Sequence, residues 1–215
     1  MTATTAARLY AEGIRALAAG RRPSLLVRTE DGSTTPLGLD DWYATECPGD
    51  RGLLDRCGGP TLDAGCGPGR LAAALAARGR PVLAVDIVPA AVASARRRGA
   101  VALRRSLYAR LPGEGRWPVV LLADGNVGIG GDPGRVLRRT AEVIGAGGRV
   151  LVEWAAPGRS RRGRIRLESG DRHSEWFPWA EVGADAAARV AALAGLHTAD
   201  TWEESGRWFA VLTHG

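Results

Sequence analysis

Apolar and polar positions change period several times along the chain, and each change marks an element. Over residues 4–19, Leu9, Ile14 and Leu17 recur at helical spacing among polar neighbours, which predicts an amphipathic helix. The segments 24–29 and 34–37 flank Glu30-Asp31-Gly32-Ser33, and the Asp-Gly pair predicts a β-hairpin. An irregular polar stretch then runs through Asp40, Asp41, Trp42 and Tyr43 to Asp50, ahead of a short helix around Leu53 and Leu54. From residue 61 strand-like and helix-like patterns alternate. Apolar strands are expected at 61–64, 82–86, 101–104, 119–123 and 149–154, with helices at about 69–78, 89–98 and 133–144 between them. Pro89 and Pro133 stand at first helical turns, where a missing N–H costs nothing, and Asp132 suits an N-cap.

After Trp154 the rhythm changes. Residues 164–168 alternate with period two, Ser169-Gly170-Asp171 reads as a turn, and 173–179 can return as a partner strand. A helix over 181–194 and two final strands, 198–203 and 207–213, complete the chain. The strand–helix alternation predicts an α/β fold, a mostly parallel sheet with right-handed crossovers. Residues 1–58 are too few to fold well alone and are expected to cap the Gly-rich end of a core over 59–215, with a β-hairpin inserted at about 159–180.

Composition narrows the class. The chain of 215 residues has a net charge of +6, and every cation in it is arginine. Arginine clusters at 96–98, 104–105 and 159–166 raise the question of a nucleic-acid partner. None has interleaved aromatics on which bases could stack, and the first falls at a helix C-terminus, where the dipole favours cations. Nucleic acid is therefore not the expected partner. Three irregularly spaced cysteines give neither a disulfide framework nor a metal site, so a cytoplasmic setting and no metal are expected. No secretory pattern opens the chain and no apolar run is long enough for a membrane span. Oligomeric state leaves no mark in the sequence.

The most informative stretch is Thr61-Leu62-Asp63-Ala64-Gly65-Cys66-Gly67-Pro68-Gly69. An apolar strand ends in an acid, and three alternate glycines let the backbone turn sharply and approach a ligand closely. Downstream, the strand at 82–86 ends in Asp86, where nucleotide-binding βαβ units grip a ribose diol, and apolar Ile87 follows. The segment Ala123-Asp124-Gly125-Asn126-Val127-Gly128-Ile129-Gly130-Gly131-Asp132 holds four glycines within seven residues, a second expected close approach to a ligand.

Residues 63–69 resemble motif I of the class I S-adenosylmethionine-dependent methyltransferases, and the likeness extends over about 59–215. The resemblance implies a Rossmann-like seven-stranded, mostly parallel sheet with an antiparallel C-terminal hairpin. It implies S-adenosylmethionine as cofactor, with Asp63, Gly65, Cys66, Gly67 and Gly69 around its amino-acid part and Asp86 on the ribose hydroxyls. Ile87, Ser106 and Leu107 would frame the adenine, and Asp124, Gly125 and Asn126 would face the methionine part and the acceptor. The loop after residue 123 lacks the Pro-Pro-aromatic motif of enzymes that methylate exocyclic amino groups of bases or glutamine amides, and the aromatics of the cap and inserted hairpin lead one to expect a ring-bearing or partly apolar small-molecule acceptor, such as a secondary metabolite. His173, beside Trp176, Phe177 and Trp179, and Asp124 are the candidate bases, with Glu153 a further carboxylate pointed toward the site by topology. Trp42 and Tyr43 are candidates to close over the cofactor. An NAD(P)-dependent oxidoreductase is the rival, opposed by Arg70 where the dinucleotide fingerprint needs glycine. A non-catalytic S-adenosylmethionine-binding protein is the other.

Overall fold

A computed structural model describes residues 2–215; Met1, part of the stretch read for a secretory pattern, lies outside them. In chain order, β1 (Thr2–Thr4), α1 (Ala6–Ala18), β2 (Leu26–Thr29), β3 (Thr34–Pro36), α2 (Leu39–Tyr43) and α3 (Asp50–Arg56) precede the alternating region. There follow β4 (Thr61–Ala64), α4 (Arg70–Ala77), β5 (Val82–Asp86), α5 (Pro89–Arg97), β6 (Val101–Arg104), β7 (Trp117–Leu122), α6 (Pro133–Val143) and β8 (Ile144–Trp154). The last part contains β9 (Arg161–Ser169), β10 (Arg172–Ser174), β11 (Phe177–Glu181), α7 (Ala187–Ala192), β12 (Leu196–Glu204) and β13 (Arg207–His214).

The main sheet has seven strands in the order β12-β13-β8-β7-β4-β5-β6. Strands β4 to β8 run parallel, while β13 is antiparallel to both β8 and β12, so the expected Rossmann-like sheet with its C-terminal hairpin is present. Its parallel strands are continuous apolar runs because helices cover both faces: Leu62, Val120, Val150 and Leu212 face one cluster, and Val119, Leu121, Leu151 and Phe209 the other. Local signals behave as their chemistry dictates. Asp132 Oδ1 accepts from the backbone N–H of Arg135 at 3.0 Å, starting α6. Likewise Thr5 caps α1, with Oγ1 accepting from the N–H of Arg8 at 3.2 Å.

A second, six-stranded sheet unites the cap and the insertion. Its order is β1-β10-β9-β2-β3, with β11 also paired to β9. Strands β2 and β9 lie side by side in antiparallel register, Val27 opposite Leu167 and Thr29 opposite Ile165. The inserted hairpin therefore returns in two pieces, β10 and β11, and the N-terminal hairpin completes its other edge. Helix α1 packs on this sheet through Leu9 and Ile14, in a cluster that includes Leu25, Leu39 and Leu167. Residues of α3 pack elsewhere: Leu53, Leu54 and Cys57 are sealed into the main core against Leu71, Leu75 and Leu121.

Two local expectations are revised. Residues 39–43 form a helical turn with Asp40 and Asp41 in its first turn, where the dipole favours acids. The helix expected over 181–194 is confined to Ala187–Ala192, because Ala155 N–H donates to the Val182 carbonyl, Gly183 N–H to Ser160 Oγ and Gly158 N–H to Asp185 Oδ1. No helix among the described residues is long and apolar enough to cross a membrane.

Candidate functional site

Strand β4 has β5 on one side and β7 on the other, so the chain reverses its direction of travel across the sheet at the carboxyl end of β4. Such a switch leaves a crevice beyond the strand ends. The second sheet roofs it, and the result is a cleft of about 870 Å³.

The floor is the glycine loop. Gly65 and Gly67 hold positive φ angles of 82° and 52°, a region closed to most side chains, and a Cβ on Gly65 would stand 2.8 Å from the amide nitrogen of Asn126. That amide donates to the carbonyls of Ala64 at 3.1 Å and Gly65 at 2.8 Å, clipping the loop after β7 to the loop after β4. Gly67 N–H donates to Asp86 Oδ2 at 3.0 Å, and Val88 N–H donates to Oδ1 at 2.7 Å. The Asp86 carboxylate is thus fixed from behind, and its remaining lone pairs can accept from a diol. Ile87 beside it is 61% exposed although apolar, and it lines the cleft with Ser106 and Leu107. An exposed isoleucine at a strand end can back a planar ring.

Asp63 is only 3% exposed, and its Oδ2 is buried without a hydrogen-bond partner. Burial, reinforced by the charge of Asp124 and opposed by Arg70, pushes its carboxyl up to about 7. An ammonium group would supply the missing donor and the missing positive charge. Cys66 is buried in the loop, where desolvation drives its thiol well upward and leaves it inert.

Beneath the loop lies a charged network that the sequence did not reveal. Arg70, 3% exposed at the start of α4, pairs with Asp50 and places Nη2 2.6 and 2.7 Å from the two oxygens of Asp124. Arg207 reaches in from β13: Nε and Nη2 each donate to Glu153 at 2.8 Å, and Nη1 donates to Asp50 at 2.8 Å. Glu153 Oε2 in turn accepts from the backbone N–H of Asp124 at 2.7 Å. Asp124 adopts a left-handed conformation with φ 54°, unusual outside glycine and held here by three neighbours. Burial raises its carboxyl, with Glu153 adding to the rise and Arg70 opposing it. For Asp50, burial is more than offset by Arg70 and Arg207, and its carboxyl lies below the usual range. A cation at a helix N-terminus opposes the dipole; Arg70 right after Gly69 was therefore a legible sign that acids must surround it. Arg207, the first residue of an ordinary apolar strand, gave none.

The roof is aromatic. Phe177 and Trp179 share one face of β11 and line the cleft with Ile165 and Leu167. Trp42 also lines it and meets Tyr10 edge-on at 6.1 Å. Tyr10, missed in the sequence because it sits within the stripe of α1, overlies the loop: its hydroxyl would be 3.0 Å from a Cβ on Gly67. Burial and the charge of Asp86 push that phenol well up.

Three candidates are placed differently from expectation. His173 lies in β10, pairs with β1 and β9, sets Nδ1 3.0 Å from the Ser174 carbonyl and does not line the cleft; pairing within the second sheet, invisible to local periodicity, carries it away. Gly69 is not in the lining either: a Cβ there would come within 2.6 Å of Ala95, so this glycine serves close packing of α4 on α5. Tyr43 offers its carbonyl to Arg98 at 2.8 Å and does not line the cleft, whereas Trp42 does. The other candidates, Asp63, Gly65, Cys66, Gly67, Asp86, Ile87, Ser106, Leu107, Asp124, Gly125 and Asn126, all converge on the cleft.

Comparison with known proteins agrees with this geometry. Residues 61–148 match the family model described as a methyltransferase domain. The structure is similar to that of an S-adenosylmethionine-dependent methyltransferase from Bacteroides fragilis in complex with S-adenosyl-L-homocysteine, with TM-score 0.83, 20% identity, and coverage of 100% of this chain and 98% of that one. It is also similar to the CcbJ methyltransferase of Streptomyces caelestis (TM-score 0.61, 18% identity, 83% of this chain and 95% of that one). A further likeness is to the sugar N-methyltransferase KedS8 from Streptoalloteichus sp ATCC 53650 (TM-score 0.59, 17% identity, 83% and 90%). At these identities the structures speak for the fold, and no curated protein matches by sequence. Residues 61–148 are thus a methyltransferase domain, and the sheet order is that of the class I S-adenosylmethionine-dependent methyltransferase fold.

Proposed function

We propose that the enzyme methylates a small molecule that is ring-bearing or partly apolar, within a reducing cytoplasm. The observation that carries this reading is the division of the cleft. One wall is the acid-flanked glycine loop, and the facing wall is the aromatic strand β11 with Phe177 and Trp179. The solved structures of similar fold include a sugar N-methyltransferase, a glycopeptide N-methyltransferase and a magnesium protoporphyrin IX methyltransferase, acceptors that each contain rings. Cys47, Cys57 and Cys66 are all free thiols, which suits a reducing compartment.

Bound S-adenosylmethionine supplies a methyl carbon already activated by a sulfonium. The protein's own part is to bind, orient and exclude water. Asp86 accepts from the ribose hydroxyls, Asp63 receives the ammonium, and Ile87, Ser106 and Leu107 frame the adenine. Asn126 and Glu153 hold the loop after β7 in register with the glycine loop, so the acceptor meets the cofactor in line. Asp124 has a 26% exposed side chain within an otherwise more buried network, and it takes the proton the acceptor gives up.

Equilibrium titration tests the cofactor half: S-adenosylhomocysteine should bind with micromolar affinity and NAD(P)H should not. A panel of ring-bearing acceptors, read by mass gain and S-adenosylhomocysteine release, tests the other half. Transfer only to polypeptide or nucleic acid would overturn the acceptor class.

A further inference from the structure

The sign of the cleft is opposite to the sign of the protein. The chain as a whole carries +6. Yet among the described residues the cleft lining includes six carboxylates: Asp63, Asp86, Asp124, Glu153, Glu175 and Glu181. Only Arg70, Arg105 and Arg161 oppose them there. Arg70 is consumed by Asp50 and Asp124 below the surface. Arg207, which reaches the network from outside the lining, pairs with Glu153 and Asp50, and Arg161 stands 3.5 Å from Glu181. With Asp63 raised to about 7 by burial, the excess is about two to three negative charges, and in a chain where arginine dominates such an excess in one concavity is not a product of composition. Low-dielectric walls focus such a field and concentrate ligands of the opposite charge.

S-adenosylmethionine offsets only part of it, since its sulfonium and ammonium are countered by its own carboxylate. The acceptor half remains negative and is walled by Phe177, Trp179 and Trp42, whose ring faces attract cations. A second observation points to a ligand at the same place. The indole N–H of Trp154, a residue 4% exposed that lines the cleft at the end of β8, is buried without a partner. Unpartnered polar atoms in a lining are satisfied when a ligand brings the complement, here a hydrogen-bond acceptor on the ligand's body, since an ammonium only donates.

Resting on the methyl-transfer reading above, we propose that the acceptor is a cationic amine on an apolar or ring-bearing body, and that the cleft discriminates against alcohols and carboxylic acids of the same shape. The bound ammonium passes one N–H proton to the Asp124 carboxylate. The freed lone pair forms the N–C bond as the C–S bond breaks, and the sulfonium leaves as a neutral thioether. The methylated product keeps the positive charge that the acceptor brought in.

The test uses the full chain saturated with S-adenosylhomocysteine and three probes of one shape: benzylammonium, benzyl alcohol and benzoate, titrated by calorimetry. Benzylammonium is expected to bind about tenfold or more tighter than benzoate, with benzyl alcohol between them, and to weaken as salt is added. The double variant Glu175→Gln, Glu181→Gln should shrink that preference while leaving S-adenosylhomocysteine affinity unchanged. Equal or tighter binding of the alcohol or the acid, or no binding of any probe up to its solubility, would overturn the inference. If S-adenosylhomocysteine itself binds in that experiment, only the amine assignment is lost; if it does not, the methyl-transfer reading falls with it.

Discussion

Replacing Arg207 by methionine keeps most of the side-chain volume and removes the charge that ties the C-terminal hairpin to the site. Arg207 donates two bonds of 2.8 Å to Glu153 and one of 2.8 Å to Asp50, and it stands 3.5 Å from Asp124. Without it, Asp50 (1% exposed) keeps Arg70 and the Cys47 N–H, but Glu153 loses the one guanidinium that pairs with it among the described residues. Breaking a buried ion pair costs about 3–5 kcal/mol. The Arg207 side chain is 17% exposed, so water screens part of that loss and about 2–4 kcal/mol is the expected destabilisation near neutral pH. The pH dependence carries a definite sign. Asp50 has a folded-state value below the ordinary range, so its contribution is present at neutral pH and is lost as pH falls through that value. In Arg207→Met the depression is partly relieved, so the gap to the parent should be full from about pH 8 down to about pH 5 and narrow from about pH 4 toward about pH 2. Urea unfolding of both proteins across that range measures it. A gap smaller than about 0.5 kcal/mol, or one that does not vary with pH, would refute the claim that the network is held by charge.

Asp86→Ala should weaken S-adenosylhomocysteine binding by about 1.5–3 kcal/mol, since charge-assisted bonds are lost, and calorimetry that finds parent affinity would place the ribose elsewhere. Asp63, pushed up to about 7 in the free protein, should be drawn back to its charged form by the ligand's ammonium. Binding near that pH should therefore release a proton, visible as buffer-dependent binding enthalpy, and affinity should rise with pH through about 7 and then level off. His173→Ala should leave turnover and cofactor affinity unchanged because the residue lies in β10 away from the lining; a large fall in turnover would return it to the site.

Much of the cofactor side was legible because its signals are local. A glycine that must take positive φ, an acid closing a strand and an exposed apolar residue after it are facts about a few consecutive positions. The strand–helix rhythm from residue 61 gives the parallel sheet, since the crossover rule leaves few ways to arrange it. The acceptor side was legible only in kind. Aromatics at 176, 177 and 179 announced a wall, and Phe177 and Trp179 supply it, whereas neighbouring His173 is turned to a different strand pairing.

What the sequence determined by itself is the first βαβ unit of the main sheet, from Asp63 through Asp86, because backbone geometry there is set by residues adjacent in the chain. Tertiary structure alone decided that residues 26–29 and 161–169 lie in one sheet, and that Asp50, Arg70, Asp124, Glu153 and Arg207 meet beneath the loop. These partners are separated by up to 157 positions, as for Arg207 and Asp50. A charge so placed is paired only when folding brings its counterion in, since neither its own segment nor its period names the partner.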